Sequence, residues 1–458
     1  MLSLVIGLVV TAVAAGLIIR NYQAQTVLLV AGLILLATTA VLFPDHSILY
    51  QNAKSLGWKG FDVFGFVKES LITQLSGIGL IIMSAAAFAD YMDYIGATST
   101  MVRFCVKPLK LVRAPYVILA LGYVLGQCLH VAVPSAAGLA MLLLVTFFPM
   151  LLSLGVSRPA AAAMVALTGF MDLGPAVGTA NLAAKIAGIP PATYFVQYQL
   201  QVAVGVIAVV AVLIFFSAMY FDRNVDTDHE AREDARAVDA PSGPQAPGMY
   251  ALLPLVPIIL ILVFSPLLVT SISMEVVTAM IIGSVLGLVC ELVVKRNVQV
   301  VFKGFQVFFN GIGSSFASVV SLLVCADVFA QGLQAVGAVG YMIDSVSRAG
   351  YSVHVMAIVM TSMVGITAMI TGSGVAAFFA FSGLAPGIAA KFGVSAVTML
   401  LPMQLMAGMG RAISPVAGVI IAVSKAGNCS PFEIVRRTMI PAIGGIVTMF
   451  LLNYLLSG

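Results

Sequence analysis

The sequence contains little charge: only 9% of its 458 residues are Asp, Glu, Lys or Arg, whereas 61% are hydrophobic and the mean hydropathy is +1.10. A soluble domain carries roughly 25% charged residues, so a soluble fold is excluded. The net charge of +4 is spread over loops and offers no basic surface to a nucleic acid. These properties indicate an all-α polytopic membrane protein.

Residues that would mark an enzyme, a metal centre or a disulfide framework are also scarce. The five cysteines have no paired spacing, and the chain has no metal-ligand cluster, nucleotide-binding loop or nucleophile elbow. We interpret the cysteines as buried thiols and expect neither an enzyme nor a bound cofactor. The N-terminal stretch 2–19 has no charged n-region and no cleavage site, so we interpret it as the first membrane span and not as a signal peptide.

Apolar windows long enough to cross about 30 Å of hydrocarbon recur along both halves of the chain. The predicted spans are 2–19, 25–43, 69–88, 159–184 and 196–220, followed by 250–270, 275–294, 304–330, 396–424 and 437–456. Each half also has a longer apolar stretch, 115–154 or 352–392, with small residues at its centre. Each stretch could be two spans or one re-entrant hairpin. Gly-rich backbone is tolerated at membrane depth only where it lines a cavity, which favours the hairpin.

The two halves repeat the same helix-breaking residues about 240 positions apart. Gly174–Gly178 in the first half corresponds to Ser414–Gly418 in the second, and both contain a Pro between small residues. Matched Gly/Pro breaks in an internal repeat are typical of secondary transporters. We therefore predict a first repeat over 1–221, a cytoplasmic polar linker over 222–248 and a second repeat over 249–458. The broken helices are 159–184 and 396–424.

Five crossings in each half would place the two repeats in opposite orientations. Fifteen of the 22 basic residues then lie on one side and six on the other, with Arg411 in the core. The positive-inside rule makes the richer side cytoplasmic and both termini periplasmic. Two full spans in place of each hairpin would leave the crossing number odd, so the charge count does not exclude them. A shorter segment precedes each hairpin, 98–113 and 337–348, and the first is predicted to lie at the membrane interface.

The predicted substrate site lies where the hairpin tips and breaks open the backbone inside the bilayer. Helix N-termini there present N–H groups and positive dipole ends that hold an anion, and released carbonyls could ligate sodium. For any single Gly or Ser the alternative is close helix packing. The candidate substrate-binding residues are Ser135, Ala136, Gly138, Thr371, Gly372, Ser373, Gly374, Arg411, Ser414 and Pro415. The candidates for binding a coupling ion or supporting the site are Asp172, Gly174, Pro175, Gly178, Thr179, Asn181 and Gly418.

Three ionisable residues, Asp172, Asp327 and Arg411, are predicted at membrane depth, where each charge costs about 2.5–3.5 kcal/mol. Our hypothesis is that Arg411 binds a substrate carboxylate. Asp172 would pair with Arg411 in the empty state or serve the coupling cation, Na⁺ or H⁺; a purely structural pair is the alternative. Asp327 could be structural or functional. We expect His130 to be a hydrogen-bonded packing residue and not a proton relay.

Several segments spread along the chain are distinctive: Lys107–Leu109, Ala114–Tyr116, Ala132–Leu139, Val328–Leu333, Thr371–Gly374, Gly410–Val419 and Ser430–Thr438. These segments resemble the DcuC-type anaerobic carriers of C4-dicarboxylates, and the resemblance covers nearly the whole chain. The resemblance implies a bacterial inner-membrane carrier that moves succinate, fumarate or malate by exchange, efflux or cation-coupled symport. That family is placed in the ion transporter superfamily, whose members use paired hairpins, broken helices and an elevator movement, commonly as homodimers.

The sequence departs from that family's pattern near the predicted site. Val375 stands where the family has Asn, and Asp172, Asp327 and Lys185 replace neutral residues. These changes could suit a smaller or less charged anion or another coupling ion. A carrier for a monocarboxylate or an amino acid is therefore the alternative, and an anion channel is less favoured because a channel does not need two inverted half-sites. The expected partners are a small organic anion, membrane lipid and a second copy of the chain.

Overall fold

The computed structural model describes residues 2–20, 22–43, 46–49, 53–112, 114–223, 246–272, 274–338, 340–341 and 352–457. Every regular element within these ranges is a helix, which confirms the all-α class predicted from composition. Most of the predicted linker 222–248, and most of the predicted segment 337–348, lie outside these residues.

Among the described residues, the first half contains eleven α-helices of at least 6 residues. They are α1 (Leu2–Ile19), α2 (Ala24–Leu42), α3 (Lys59–Gln74), α4 (Leu80–Tyr94), α5 (Ala97–Val106), α6 (Pro115–Ala132), α7 (Ala136–Thr146), α8 (Phe148–Ser153), α9 (Arg158–Leu167), α10 (Gly178–Ala187) and α11 (Leu200–Asp222). The π-helical turn Leu75–Gly79 joins α3 to α4, and Gly77 bends the chain there with φ −99° and ψ −108°. A second π-helical turn, Tyr194–Gln199, leads into α11.

Among the described residues, the second half has a similar order of elements, without a counterpart of α5 or of the turn Tyr194–Gln199. A 3-10 turn, Gly248–Leu255, leads into its first helix, and the π-helical turn Phe316–Val320 joins α14 to α15. The helices are α12 (Val256–Val263), α13 (Val276–Lys295), α14 (Val298–Ser315), α15 (Ser321–Ala335), α16 (Val353–Thr371), α17 (Gly374–Ser382), α18 (Ala385–Lys391), α19 (Val397–Ala412), α20 (Gly418–Gly427) and α21 (Pro431–Ser457).

Two helix pairs at the predicted hairpins are each joined by a short turn; we call α6 with α7 hairpin 1, and α16 with α17 hairpin 2. The second arms have 11 and 9 residues. They are therefore about 17 and 14 Å long, too short to cross about 30 Å of hydrocarbon. After hairpin 2, α18 is bent by 46° from α17. Taken together, α17 and α18 are long and apolar enough for one bent span, so this stretch is either a broken span or a re-entrant loop.

Both predicted helix breaks are present. The first break, residues 168–177, separates α9 from α10, and the second, residues 413–417, separates α19 from α20. Each contains a proline, which has no N–H for the helical ladder. In the first break, Asp172 and Gly174 adopt left-handed backbone with φ 49° and 117°, so the chain turns sharply before α10 begins.

Eight helical segments are long and apolar enough to cross a membrane, among the residues that the structure describes. The predicted span 250–270 is wrong at its end, because α12 stops at Val263 and Pro266 interrupts the chain that follows. The predicted spans 69–88 and 304–330 are too short. The helical segments there run over Lys59–Tyr94 and Val298–Ala335.

Elements of the two halves interlock in the core. Helix α2 packs along α15, α4 packs along α14, and α11 packs along α21.

The interpretation of all five cysteines as buried is wrong: Cys128 is exposed, Cys325 is buried and the other three are half-buried. Apolar side chains face lipid as readily as core in a membrane protein, so an apolar neighbourhood in the sequence does not report burial.

Candidate functional site

A cavity of about 420 Å³ lies where both hairpin tips and both helix breaks meet. Hairpin 1 contributes Pro134–Ala137, hairpin 2 contributes Gly372–Val375, and the first break contributes Asp172 and Ala176–Thr179. Arg411, Gly418 and Val419 complete the wall formed by the hairpin tips and the first break. The opposite wall is formed by α4, with Ser315 and Val319 beside it. Segments far apart in the sequence therefore converge on one partly open cavity.

Four helices begin at this cavity. The first two residues of α7, α10, α17 and α20 all line it. The first amides of a helix have no intrahelical acceptor, and each N-terminus carries about half a positive charge. The Gly138 N–H donates to Ser135 Oγ (3.1 Å) and the Ala376 N–H to Ser373 Oγ (3.3 Å). In α10 and α20 no side chain of the described residues caps the N-terminus, so their first amides are free to bind an anion.

Arg411 joins the end of α19 to the first break. Its Nη2 donates to Asp172 Oδ1 (2.9 Å) and to the carbonyl oxygen of Gly169 (2.7 Å). The other guanidinium nitrogens have no protein acceptor in the part of the chain that the structure describes. Since Arg411 lines the cavity, the guanidinium offers it unused donors. The predicted proximity of Asp172 and Arg411 is thus present in the structure.

The Asp172 carboxylate also contacts His130. The His130 Nε2 lies 3.5 Å from Asp172 Oδ1, and both side chains are almost fully buried. Neither ring nitrogen of His130 has a hydrogen-bond partner among the described residues, and neither has Asp172 Oδ2. The expectation that His130 is a packing residue and not a proton relay stays a prediction, because a fully buried ring beside an acid is compatible with both roles.

A buried amide pair fixes the first break against the second half. Gln199 Nε2 donates to Gln404 Oε1 (2.7 Å), and the Gly174 N–H donates to Gln199 Oε1 (3.3 Å). Gln404 Nε2 in turn lies within hydrogen-bond distance of the Asp172 carbonyl (3.1 Å) and of Thr179 Oγ1 (3.4 Å). Both sides of the break are thereby tied to α19.

Carbonyls of the first break already accept protein hydrogen bonds. Asn181 Nδ2 donates to the carbonyls of Pro175 (2.7 Å) and Val177 (2.9 Å). Gln404 donates to the carbonyl of Asp172, and Arg411 donates to the carbonyl of Gly169. Fewer carbonyl lone pairs are left here for a sodium ion than the sequence suggested. No cluster of three His, Cys, Asp or Glu side chains that could hold a metal exists within the described ranges.

Most of the residues predicted from the sequence line the cavity, and the rest surround it. Those lining it are Ser135, Ala136, Asp172, Gly178, Thr179, Gly372, Ser373, Gly374, Arg411 and Gly418. Those outside its wall are Gly138, Gly174, Pro175, Asn181, Thr371, Ser414 and Pro415. Several of these position the wall; for example, the Ser373 N–H donates to Thr371 Oγ1 (3.2 Å) at the tip of hairpin 2.

The close backbone approach at hairpin 2 explains its glycines. A Cβ at Gly374 would collide with the carbonyl oxygen of Ala407 on α19, and Gly372, at φ 71°, packs against the backbone of Ala417. Only glycine fits both positions, so the tip is held directly against the second break.

Sequence reasoning missed the wall formed by α4. Asp90 lines the cavity together with Ala85, Ala86 and Ala89. The available signal was a carboxylate two residues beyond the predicted span 69–88, after a run of small residues.

Asp327 does not line this cavity. Its Oδ2 accepts a hydrogen bond from Ser70 Oγ (2.6 Å). Lys185 lines a second cavity of about 520 Å³, with Glu275 opposite.

Comparison with known proteins gives close sequence relatives. The sequence model of the family described as "DcuC: C4-dicarboxylate anaerobic carrier" matches residues 2–457. A Vibrio cholerae protein, "Probable anaerobic C4-dicarboxylate transporter DcuC", is 35% identical over 452 residues, covering 98% of this chain and 97% of the relative. The "Anaerobic C4-dicarboxylate transporter DcuC" of Escherichia coli strain K12 is 33% identical over 459 residues, covering 99% and 97%.

Two solved transporter structures share the fold. The YdaH transporter of Alcanivorax borkumensis superposes with a TM-score of 0.60 at 14% identity, covering 94% of this chain and 98% of that one. Neisseria gonorrhoeae MtrF gives a TM-score of 0.59 at 13% identity, covering 94% of each chain. At these identities the likeness establishes the architecture alone.

Proposed function

This chain belongs to the DcuC family of anaerobic C4-dicarboxylate carriers, and from that membership we propose that it carries succinate, fumarate and malate across the bacterial inner membrane. It is an integral membrane protein with relatives named as transporters and not as enzymes. The transport mode we propose is alternating access, by exchange, efflux or cation-coupled symport.

The convergence of four helix N-termini and Arg411 on one cavity carries this proposal. A C4-dicarboxylate has two carboxylates, and Arg411 can bind one while the amides at the hairpin tips bind the other. Each helix N-terminus contributes about 0.3–2 kcal/mol to a bound anion, depending on burial. The cavity of about 420 Å³ is at the small end of ligand pockets, as a small diacid requires.

We further propose that the two repeats are inverted and that both termini are periplasmic. The recurring element order and the uneven distribution of basic residues support this arrangement. In an elevator movement, the hairpins with α9–α10 and α19–α20 would slide past a scaffold that includes α2, α4, α14 and α15. The lipid-facing side of that scaffold is where we place a homodimer contact.

A carrier for another organic anion is the second candidate. Asp90 and Val375 both line the cavity, where the first adds negative charge and the second offers no side-chain donor. Both features would suit a less charged substrate, such as a monocarboxylate or an amino acid.

Counterflow in proteoliposomes tests the proposal. Vesicles containing the purified protein are loaded with unlabelled succinate, and entry of labelled succinate is followed against protein-free vesicles and against the Arg411→Ala variant. We expect saturable entry that internal succinate accelerates. A channel would show no acceleration.

A thermal-shift panel of organic acids, with and without sodium, identifies the substrate class. A ligand at a hundred times its Kd stabilises the folded state by about 2.7 kcal/mol. Stabilisation by four-carbon diacids supports the proposal. Stabilisation only by monocarboxylates or amino acids would favour the second candidate.

A further inference from the structure

One face of α6 is polar although it is buried in the protein. Tyr123, Gln127 and His130 are spaced four and three residues apart, which places them on the same side of the helix. Each is at most 1% exposed. The Gln127 Nε2 donates to the carbonyl of Leu167 (2.8 Å), but Tyr123 Oη, Gln127 Oε1 and both ring nitrogens of His130 have no partner within the described ranges. Unpartnered buried polar atoms are costly in a membrane protein and are functional candidates.

The surroundings of His130 are rich in hydrogen-bond acceptors. Asp172 lies on one side of the ring, with one carboxylate oxygen 3.5 Å from Nε2 and the other without a partner. The Oε1 of Gln127 is one helical turn away on the same face. A neutral imidazole has a single N–H, whereas a protonated one donates from both nitrogens. Asp172 Oδ1, 3.5 Å from Nε2, is placed to accept from the protonated ring.

The charged groups that face the His130–Asp172 pair are few. Arg411 reaches Asp172 from α19, and Asp90 faces the same cavity from α4. The helices packed against α6 carry their other charges near the N-terminal end of α6, next to Tyr116. At that end Ser157, the residue before α9, donates to Asp222 of α11. That end lies about 21 Å along the axis from His130.

We propose that the His130–Asp172 pair takes up one proton when a dicarboxylate binds to Arg411. The proposal rests on the proposed function, and it names the coupling ion and its site. The substrate carboxylate replaces Asp172 at the guanidinium, which leaves the buried Asp172 carboxylate without its cation. A proton from water then binds to the imidazole, whose Nε2–H donates to Asp172, and the positive charge compensates the carboxylate. Release of the substrate returns the proton to water and Asp172 to Arg411.

A proton suits this site better than a sodium ion. Imidazole is the side chain that changes charge near neutral pH without a strongly altered environment. The carbonyls of the first break that would ligate sodium already accept bonds from Asn181, Gln404 and Arg411. The proton site and the substrate site share Asp172, which links the two binding events thermodynamically.

Calorimetry of succinate binding tests this inference. The purified full-length protein in detergent is titrated with succinate near neutral pH, in two buffers that differ in ionisation enthalpy, and the difference gives the protons taken up per succinate. We expect one proton for the wild type and close to none for His130→Asn. The matched control is Cys128→Ser on the exposed face of the same helix, which should take up one proton. Because binding takes up a proton, the affinity of the wild type should fall by up to about tenfold per unit as pH rises, whereas that of His130→Asn should stay flat.

Each outcome decides the question. If the wild type binds succinate without proton uptake, the inference is overturned and the carrier function stands. If His130→Asn still takes up one proton, the assignment to His130 is wrong. If His130→Asn does not fold, Asp172→Asn replaces it, because Asn tolerates the left-handed backbone at this position and also removes the pair. Absence of succinate binding or counterflow in the wild type contradicts the proposed function and this inference with it.

Discussion

Replacing Asp172 with Asn should tighten the binding of a dicarboxylate. Asparagine keeps the shape of the side chain and tolerates its φ of 49°, so the break should retain its conformation. The amide oxygen can still accept from Arg411 Nη2, which donates to Asp172 Oδ1 at 2.9 Å in the parent protein. The substitution therefore removes the negative charge and little else.

The magnitude follows from the distance between the competing carboxylates. A substrate carboxylate that has displaced Asp172 from Arg411 would lie about 5 Å from the Asp172 carboxylate, where two like charges repel by about 3 kcal/mol at an effective dielectric constant of about 20. The guanidinium and water in the cavity screen about half of this repulsion. We expect a gain of about 1.4 kcal/mol, or about tenfold in Kd. The gain should be largest at alkaline pH, where uptake of a proton compensates the charge least.

The assay is equilibrium binding of labelled succinate to purified protein, together with its transport rate. Transport should slow although binding tightens, since Asp172 no longer displaces the substrate from Arg411. The control is Asp222→Asn: Asp222 is equally buried and accepts from Arg437 Nη1 (2.6 Å) and Ser157 Oγ (2.7 Å), far from the cavity. That variant should lose stability, by about 3–5 kcal/mol for a broken buried pair, without a change in Kd. Unchanged or weaker succinate binding in Asp172→Asn would show that the carboxylate positions Arg411 and does not compete for it.

Three other substitutions or measurements follow from the structure. Arg411→Lys keeps the charge but loses the planar donor fork, so the Kd for succinate should rise about 10–100-fold in the same binding assay; an unchanged Kd would remove Arg411 from the site. Gly374→Ala forces a Cβ against the Ala407 carbonyl and should lower the melting temperature, whereas Gly418→Ala, where a Cβ meets nothing within 4 Å, should leave it unchanged. Burial raises the pKa of the Cys429 thiol to about 11, so maleimide labelling of a variant with this cysteine alone should be slow at neutral pH and rise about tenfold per pH unit. Rapid labelling at neutral pH would contradict that environment.

The helix breaks were predictable because their signal is local. A proline between small residues, as in Gly174–Gly178, ends a helix whatever surrounds it, and its recurrence at Ser414–Gly418 gave the second break. The charge of Arg411 at membrane depth likewise marked it without structural information. These features depend on the chemistry of the backbone and the bilayer.

Other parts of the site depend on tertiary contacts that no local pattern encodes. The Gln199–Gln404 bond joins residues 205 positions apart, and a single glutamine in a span gives no sign of its partner. Asp90 fell outside a predicted window because polar residues lower the mean hydropathy of a helix end. Cys128 was misplaced since lipid and core select the same apolar residues.

The pairing of Asp172 with Arg411 also constrains the synthesis of the protein. Asp172 is made 239 residues before its partner, as the separation of the pair along the chain shows. At about 5–20 residues per second, Asp172 waits about 12–48 s before Arg411 exists. During this interval its central carboxylate has no cation and its first break has no Gln404 to hold it. The contacts of Asp172 therefore cannot form until about the last eighth of the chain, which contains Gln404 and Arg411, is being made.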